Sequence, residues 1–303
     1  MKAYVCFLSL IAIGFLPVFA DEINLALIQA QAAKGDAEAE FQLGRAYQKG
    51  LEGSPQDYAK AVELYRKAAA QGNAKAMHNL GYLYSTGQGV AKDPAQSLSW
   101  YRQGAEHGAE LSQEILGYYY LRGENVPKDP ATAAQWFQKA AGQGSVNAQF
   151  ELGMLYYSGD TGVKQDPVAA AKWLTLPAQQ GNTSAENALG VMNEKGCGMP
   201  VNGKQAVVWL TQASEKGDGR AQFNLGRICA EGIVTKKDPI AAYLWLKVAS
   251  DRGDMMAQHL LADYLKGKGF SDAQIAEGDR KVRDYEAKHP ETNAPSVEGS
   301  AGR

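Results

Sequence analysis

Histidine, cysteine and serine supply most metal sites, thiol chemistry and acyl transfer, and their spacing decides whether any of these is built. The four histidines are His78, His107, His259 and His289, and no two stand at metal-ligand spacing. The chain contains no His-Glu-x-x-His, no Gly-x-Ser-x-Gly and no P-loop. Gly-x-Gly pairs such as Gly87-Gln88-Gly89 open no helix after a strand, so they read as interhelical loops and not as phosphate cradles. Three cysteines are too few for a disulfide scaffold and have no Cys-x-x-Cys spacing for zinc. Cys6 lies in an apolar run. For Cys197 and Cys229 two readings stand: a bridge, or an unbridged Cys229 buried like a small hydrophobe. Residues in successive stacked helix pairs lie about 10 Å apart, whereas a bridge needs Cα atoms within about 7 Å. The residues therefore predict no catalytic group, no metal and no cofactor.

Composition points the same way. A 45% hydrophobic and 21% charged chain is that of a folded protein, not a disordered one. A formal charge of −2 provides no basic field for nucleic acid. At the N-terminus, Lys2 precedes an uncharged run from Ala3 to Leu16, then Pro17, Val18-Phe19-Ala20 and the acidic pair Asp21-Glu22. This is the pattern of a secretory signal peptide cleaved after Ala20. The expected localisation is periplasmic or secreted, with no stable membrane insertion after cleavage.

What would position any binding residue is a tandem repeat. Leu-Gly pairs end at Gly44, Gly81, Gly117, Gly153, Gly190 and Gly226, in steps of 37, 36, 36, 37 and 36. A closing glycine recurs in the same register at Gly72, Gly108, Gly144, Gly181, Gly217 and Gly253. All five tryptophans share a third ladder: Trp100, Trp136, Trp173, Trp209 and Trp245, with Leu64 in the first unit. Each unit reads as two helices. The first carries Ala-x-x-x-Leu-Gly-x-x-Tyr, as at Ala76, Leu80, Gly81 and Tyr84, all on one helical face. A glycine inside a helix costs about 1 kcal/mol, so this one should mark a close helix contact. The second helix begins at an Asp-Pro pair (Asp93-Pro94, Asp129-Pro130, Asp166-Pro167, Asp238-Pro239), with the carboxylate as N-cap and Pro at N1. The tryptophans, on its apolar face, are expected to be core residues joining one unit to the next. The predicted fold class is all-α, a right-handed α-solenoid (superhelix) of antiparallel helix pairs.

These elements (Leu-Gly-x-x-Tyr, Gly-x-Gly-Val, Lys128-Asp129-Pro130 and the Trp136 to Ala141 run) resemble the Sel-one-like repeat (SLR) family, a glycine-rich relative of the tetratricopeptide repeat. The resemblance covers six units from Gly35 to Gly253 and a degenerate seventh from Met255 to Ala262. Asn193 and Cys229 replace the first-helix Tyr, and Val201-Asn202-Gly203 replaces Lys-Asp-Pro in the fifth unit, which is expected to be the softest. Pro177 predicts a kink in the fourth unit's second helix. The expected organisation is a signal peptide (1–20), an N-terminal capping helix (21–34), six repeats (35–252), a degenerate repeat with a C-terminal capping helix opened by Ser271 (253–289), and a tail (290–303).

If the tetratricopeptide groove register carries over, groove positions lie 3, 6, 10 and 13 residues after each closing glycine. This selects Phe41, Arg45, Lys75, His78, Tyr82, Glu114, Tyr118, Asn147, Phe150, Met154, Tyr157, Asn187, Val191, Arg220, Phe223 and Arg227. The favoured protein-binding subset is Phe41, Arg45, His78, Tyr82, Tyr118, Phe150, Met154, Tyr157, Phe223 and Arg227, rich in the Tyr and Arg of binding hot spots. The alternative for some of these aromatics is packing between neighbouring first helices. The resemblance implies a non-enzymatic adaptor of the bacterial envelope with a protein or peptide partner. A cell-wall or penicillin-directed hydrolase is the rival, and it is disfavoured because the chain has no Ser-x-x-Lys and no paired cysteines in each repeat.

Overall fold

The computed structural model describes residues 25–290, apart from 52, 53, 233 and 268. The expected signal peptide (1–20) and residues 291–303 of the expected tail lie outside the described residues. Among those residues every element is helical: α1 (25–32), α2 (Ala37–Lys49), α3 (Tyr58–Ala70), α4 (Ala74–Thr86), α5 (Pro94–Glu106), α6 (Glu110–Arg122), α7 (Pro130–Gly142), α8 (Val146–Ser158), α9 (Pro167–Gln179), α10 (Thr183–Lys195), α11 (Gly203–Glu215), α12 (Gly219–Glu231), α13 (Pro239–Asp251), α14 (Met255–Lys266) and α15 (Asp272–Lys288). The described residues form two compact units, one up to Lys128 and one from Asp129. Within each, consecutive helices pack in sequence, and the first helix of a repeat lies most extensively against its own second helix, as in α4 on α5 and α12 on α13. This is the all-α, stacked-pair class, an α-solenoid fold.

The repeat length follows from two turns. The closing glycines take positive φ, for example 88° at Gly72 and 94° at Gly253, and the next residue caps the next first helix. Asp36, Asn73, Ser145, Asn182, Asp218 and Asp254 each accept a hydrogen bond from the backbone N–H three residues on, at 2.8–3.1 Å. Ala109 is the one such position without a side-chain cap. The second turn ends at the Asp-Pro pair. Asp93 Oδ1 accepts from Ala95 and Gln96, and its own N–H donates to the Tyr84 carbonyl at 2.9 Å. Asp57, Asp166, Asn202 and Asp238 make the same backbone bond to Tyr47, Tyr156, Asn193 and Cys229. Because a main-chain carbonyl receives it, Asn193 and Cys229 can stand in the Tyr position without loss of the turn. Asn202 takes over the capping role of Asp in the fifth repeat, accepting from Gln205 at 3.0 Å.

The Leu-Gly ladder is a contact ladder within each pair. A Cβ on Gly81 would lie 2.7 Å from the Tyr101 ring, and one on Gly153, Gly190 or Gly226 would lie 2.6–2.8 Å from Leu174, Leu210 or Leu246. The tryptophan expectation is corrected here. Only Trp245 is buried, at 7% exposure, against Tyr285 with ring centroids 5.2 Å apart. Trp100, Trp136, Trp173 and Trp209 are half-buried. The residue after each Trp (Tyr101, Phe137, Leu174, Leu210, Leu246), with Tyr65 in the first repeat, is the core side chain. One residue further along a helix turns about 100°, so the side chain facing the glycine is inside and its predecessor sits at the rim. Lysine stems cover two of these rims: Lys139 Nζ lies 4.0 Å from the Trp136 centroid and Lys172 Nζ 5.3 Å from that of Trp173.

Pro177 does not break α9, which continues through it to Gln179. Having no N–H, it forgoes one bond of the helix ladder without ending the helix. Cys197 is exposed, Cys229 is buried, and both are free thiols. Burial pushes the Cys229 thiol up to about 11. At the C-terminal end, Ser271 and Gln274 form the expected capping box. α15 locks onto α13 through Tyr243, whose hydroxyl donates to Asp279 at 2.8 Å. Tyr285 accepts from Gln222 Nε2 and donates to the Ser214 carbonyl, each at 3.1 Å.

Candidate protein-interaction face

The first helices carry all ten favoured residues, but the structure gives them different surroundings. In the first unit, Phe41 is only 4% exposed and packs on Tyr65 at 5.9 Å, so it is a core side chain and not a groove contact. Arg45 lies over the Phe41 ring at 5.8 Å and donates to Gln42 at 3.0 Å. His78 is half-buried; its Nδ1 meets Ser112 Oγ at 3.1 Å, and its ring lies 5.5 Å from Tyr101. Burial lowers its pKa to about 4, so the imidazole is neutral near pH 7 and ties α4 to α6. Tyr82 is 43% exposed, and Tyr118, in the same register one repeat on, is half-buried with Arg122 over its ring at 5.0 Å.

In the second unit, Phe150, Met154 and Tyr157 succeed one another on α8 at helical spacings of 4 and 3. All three are half-buried and rest against the cluster formed by Ala170, Leu174, Leu189 and Met192. Tyr157 is raised above the usual phenol range, first by burial and then by the charges of Cys197 and Glu194. Phe223 rests half-buried on the core of the last repeats. Arg227 is already engaged: its Nη2 donates to both Glu194 oxygens at 2.7 Å and its Nη1 to Glu231 at 2.8 Å. Two further polar pairs span α10 and α12, Arg220 to Ser184 at 3.1 Å and Asn224 to Asn187 at 2.9 Å. Repeats five and six therefore present a self-satisfied polar surface, whereas the fourth presents aromatic and thioether surface.

One polar position escaped the sequence reading. Five residues after the closing glycine, Gln113, Gln222 and Gln258 each donate to the carbonyl eight residues back, at 3.0–3.2 Å, closing the end of the preceding second helix. Glu40 and Glu186 occupy the same register and accept instead from Gln71 at 2.8 Å and from Lys216 at 2.6 Å. Recurrence of Gln and Glu at a buried helical position was the available signal. Among the described residues no cluster of His, Cys, Asp or Glu could hold a metal ion, and no helix is long and apolar enough to cross a membrane.

The repeat register also carries a family match. A model of the Sel1 repeat matches residues 37–73, 74–108, 111–145, 146–182, 183–218, 219–254 and 256–277. The chain belongs to the Sel1 repeat family. Sel1 repeats typically serve as non-catalytic protein-interaction scaffolds. Among solved structures, c5321, described as a protective antigen present in uropathogenic Escherichia coli strains and displaying an SLR fold, is 29% identical, with a TM-score of 0.64. That match covers 93% of this chain and 61% of c5321. A Sel1 repeat protein from Oxalobacter formigenes is 28% identical with a TM-score of 0.61, over 78% of this chain and 97% of its own. A 60-residue segment is 42% identical to HRD3A of Arabidopsis thaliana, an ERAD-associated E3 ubiquitin-protein ligase component, but that segment is 20% of this chain and 9% of HRD3A.

Proposed function

We propose that this Sel1 repeat protein is a non-enzymatic scaffold of the bacterial cell envelope that captures a protein or peptide on the face formed by its first helices. The observation that carries the reading is the α8 surface. Phe150, Met154 and Tyr157 are seated firmly enough to hold position yet stay partly open, and none is consumed by an ion pair as Arg227 is. Aromatic anchors that lose little side-chain entropy, beside an adaptable thioether, suit protein recognition. Tyr82 and Tyr118 offer a comparable pair in the first unit. The envelope assignment draws on the pattern of residues 1–20 and on the bacterial origin of the two solved relatives.

The test is affinity capture from envelope extract with the wild type and with Met154→Ala/Tyr157→Ala, alongside thermal melts. Loss of captured species with a nearly unchanged melt supports the reading. Parallel loss of both places these side chains in the core, and recovery of nothing specific by the wild type refutes it. N-terminal sequencing of the exported protein should begin at Asp21; a retained Met1 would contradict the envelope assignment.

A further inference from the structure

Tyr285 sits in a cradle whose parts the repeat builds a second time. Its ring lies 5.2 Å from that of Trp245, edge-on, with the Arg252 guanidinium 5.5 Å over it. Its hydroxyl accepts from Gln222 and donates to the Ser214 carbonyl, and Arg252 donates to Gln222 Oε1 at 3.2 Å. Trp245 and Arg252 stand eight residues and one residue before the closing Gly253. Gln222 and Ser214 stand five residues after and three before the closing Gly217. One repeat back, the same positions hold Trp209, Lys216, Glu186 and Ala178.

Two observations distinguish this second cradle. Trp245 is buried beneath Tyr285, whereas Trp209 is half-buried and, among the described residues, has no ring or cation over it; Val208 beside it is exposed. Glu186 is only 1% exposed, yet one of its oxygens is unused: Lys216 donates to Oε1 at 2.6 Å, and Oε2 is buried without a partner. Such an oxygen carries a desolvation cost that one donated hydrogen bond offsets. Lys216 takes the place of Arg252, and its side chain is 44% exposed. Its stem can lie along an incoming ring, as Arg252 does, while its ammonium stays on Oε1.

We propose that the Trp209–Glu186 cradle receives a tyrosine from a helix of a partner protein, its ring against Trp209 and its hydroxyl donating to Glu186 Oε2. The chain itself contains both contacts, Tyr285 on Trp245 and the Tyr243 hydroxyl on the Asp279 carboxylate at 2.8 Å. α15 also shows the form of the occupant. Gly278, Val282 and Tyr285 follow one another on its buried face, and Gly278 leaves room for Tyr243 of α13. A helix placed one repeat back would meet Val207 instead of Tyr243 and lie beside α15 at about 10 Å, an ordinary packing distance. Residues 291–303 contain no tyrosine, and in a second copy Tyr285 is engaged on its own Trp245, so the occupant is another protein. The proposal rests on the protein-interaction reading but uses a different surface from Phe150, Met154 and Tyr157.

The test titrates the purified full-length protein with a capped synthetic peptide of residues 271–289, following the tryptophan indole N–H groups and the Lys216 amide by NMR. Saturable shifts at Trp209 and Lys216 are expected, with Trp173, already under Lys172, unmoved. Tyr285→Phe in the peptide should weaken binding about tenfold, the scale of a hydrogen bond to a charged group. Trp209→Ala in the protein should abolish the Lys216 shift without unfolding, as a thermal melt will show. Glu186→Gln should keep it, since an amide there can pair with the hydroxyl as Gln222 does. Equal binding of the phenylalanine peptide, shifts at Trp245 in place of Trp209, insensitivity to Trp209→Ala, or no saturable shift overturns the proposal. A Trp209 shift that grows with protein concentration alone would assign the cradle to a second copy and overturn it too. Failure here would leave envelope capture by the first-helix face intact, and Met154→Ala/Tyr157→Ala should not alter this titration.

Discussion

Replacing Gly81 with alanine tests the claim that the Leu-Gly ladder exists for contact within a helix pair. The added methyl would meet Cδ1, Cε1 and Cγ of Tyr101 at 2.7, 2.8 and 2.9 Å. Tyr101 is 3% exposed, so the ring has no open side into which to retreat. Overpacking of this kind costs about 1–3 kcal/mol, against a helix-propensity gain of up to about 1 kcal/mol for Gly→Ala. The expected net loss is about 1–2 kcal/mol. Gly142→Ala is the control: that glycine is also helical, but its added Cβ meets nothing within 4 Å, so it should be neutral or stabilising by up to about 1 kcal/mol. Because repeat arrays lose stability locally, native-state hydrogen exchange of α4 and α5 is the suitable assay, backed by urea unfolding. Tyr101→Leu in the Gly81→Ala background should cost less than the sum of the single changes, with a coupling of about 1 kcal/mol. Equal exchange rates for Gly81→Ala and Gly142→Ala, or strict additivity with Tyr101→Leu, would refute the contact explanation.

Other expectations follow from single side chains. His78 titrates near 6.5 when unfolded and about 4 when folded, so the unfolded chain takes up the proton first. Its contribution is complete above about pH 6.5 and is lost towards pH 4, up to about 3 kcal/mol; His78→Gln should flatten urea midpoints measured across that window. Trp245→Ala should cost about 3–5 kcal/mol, as deletion of a buried aromatic does, and Trp173→Ala distinctly less; chemical denaturation of the two variants compares them. Of Cys197 and Cys229, a thiol reagent should label only Cys197 in the native protein, with Cys229 reacting on unfolding, and a reductant should leave the melt unchanged. Gly203→Ala should perturb the junction of the fifth and sixth repeats, because its Cβ would overlap the Val234 carbonyl oxygen, and hydrogen exchange of α11 should rise.

The glycine, Asp-Pro and Leu-Gly ladders were legible because backbone geometry imposes them. A positive φ, a capped helix start and a missing Cβ each restrict the residue type at one position, and the restriction recurs with every repeat. The sequence alone therefore determined the helix pairs, their boundaries and the family. The residue after the closing glycine carried a further signal that the reading of the sequence did not use: Asp, Asn or Ser stands there as an N-cap at every repeat but the third, which has Ala109. Which side of a helix faces which neighbour was not. Trp and the residue following it are both apolar, and only packing against the Leu-Gly position shows that Tyr101 or Leu246 is the inner one and Trp100 the rim. Likewise Phe41 and Phe150 share a register, yet one is sealed against Tyr65 and the other stays partly open. The sequence placed Arg227 in the groove subset, and only the fold brings Glu194, 33 residues away, within 2.7 Å of it. Local periodicity fixes the rotation of a residue about its own helix; exposure and pairing depend on what the adjacent repeat places opposite it, and only the tertiary structure decides that.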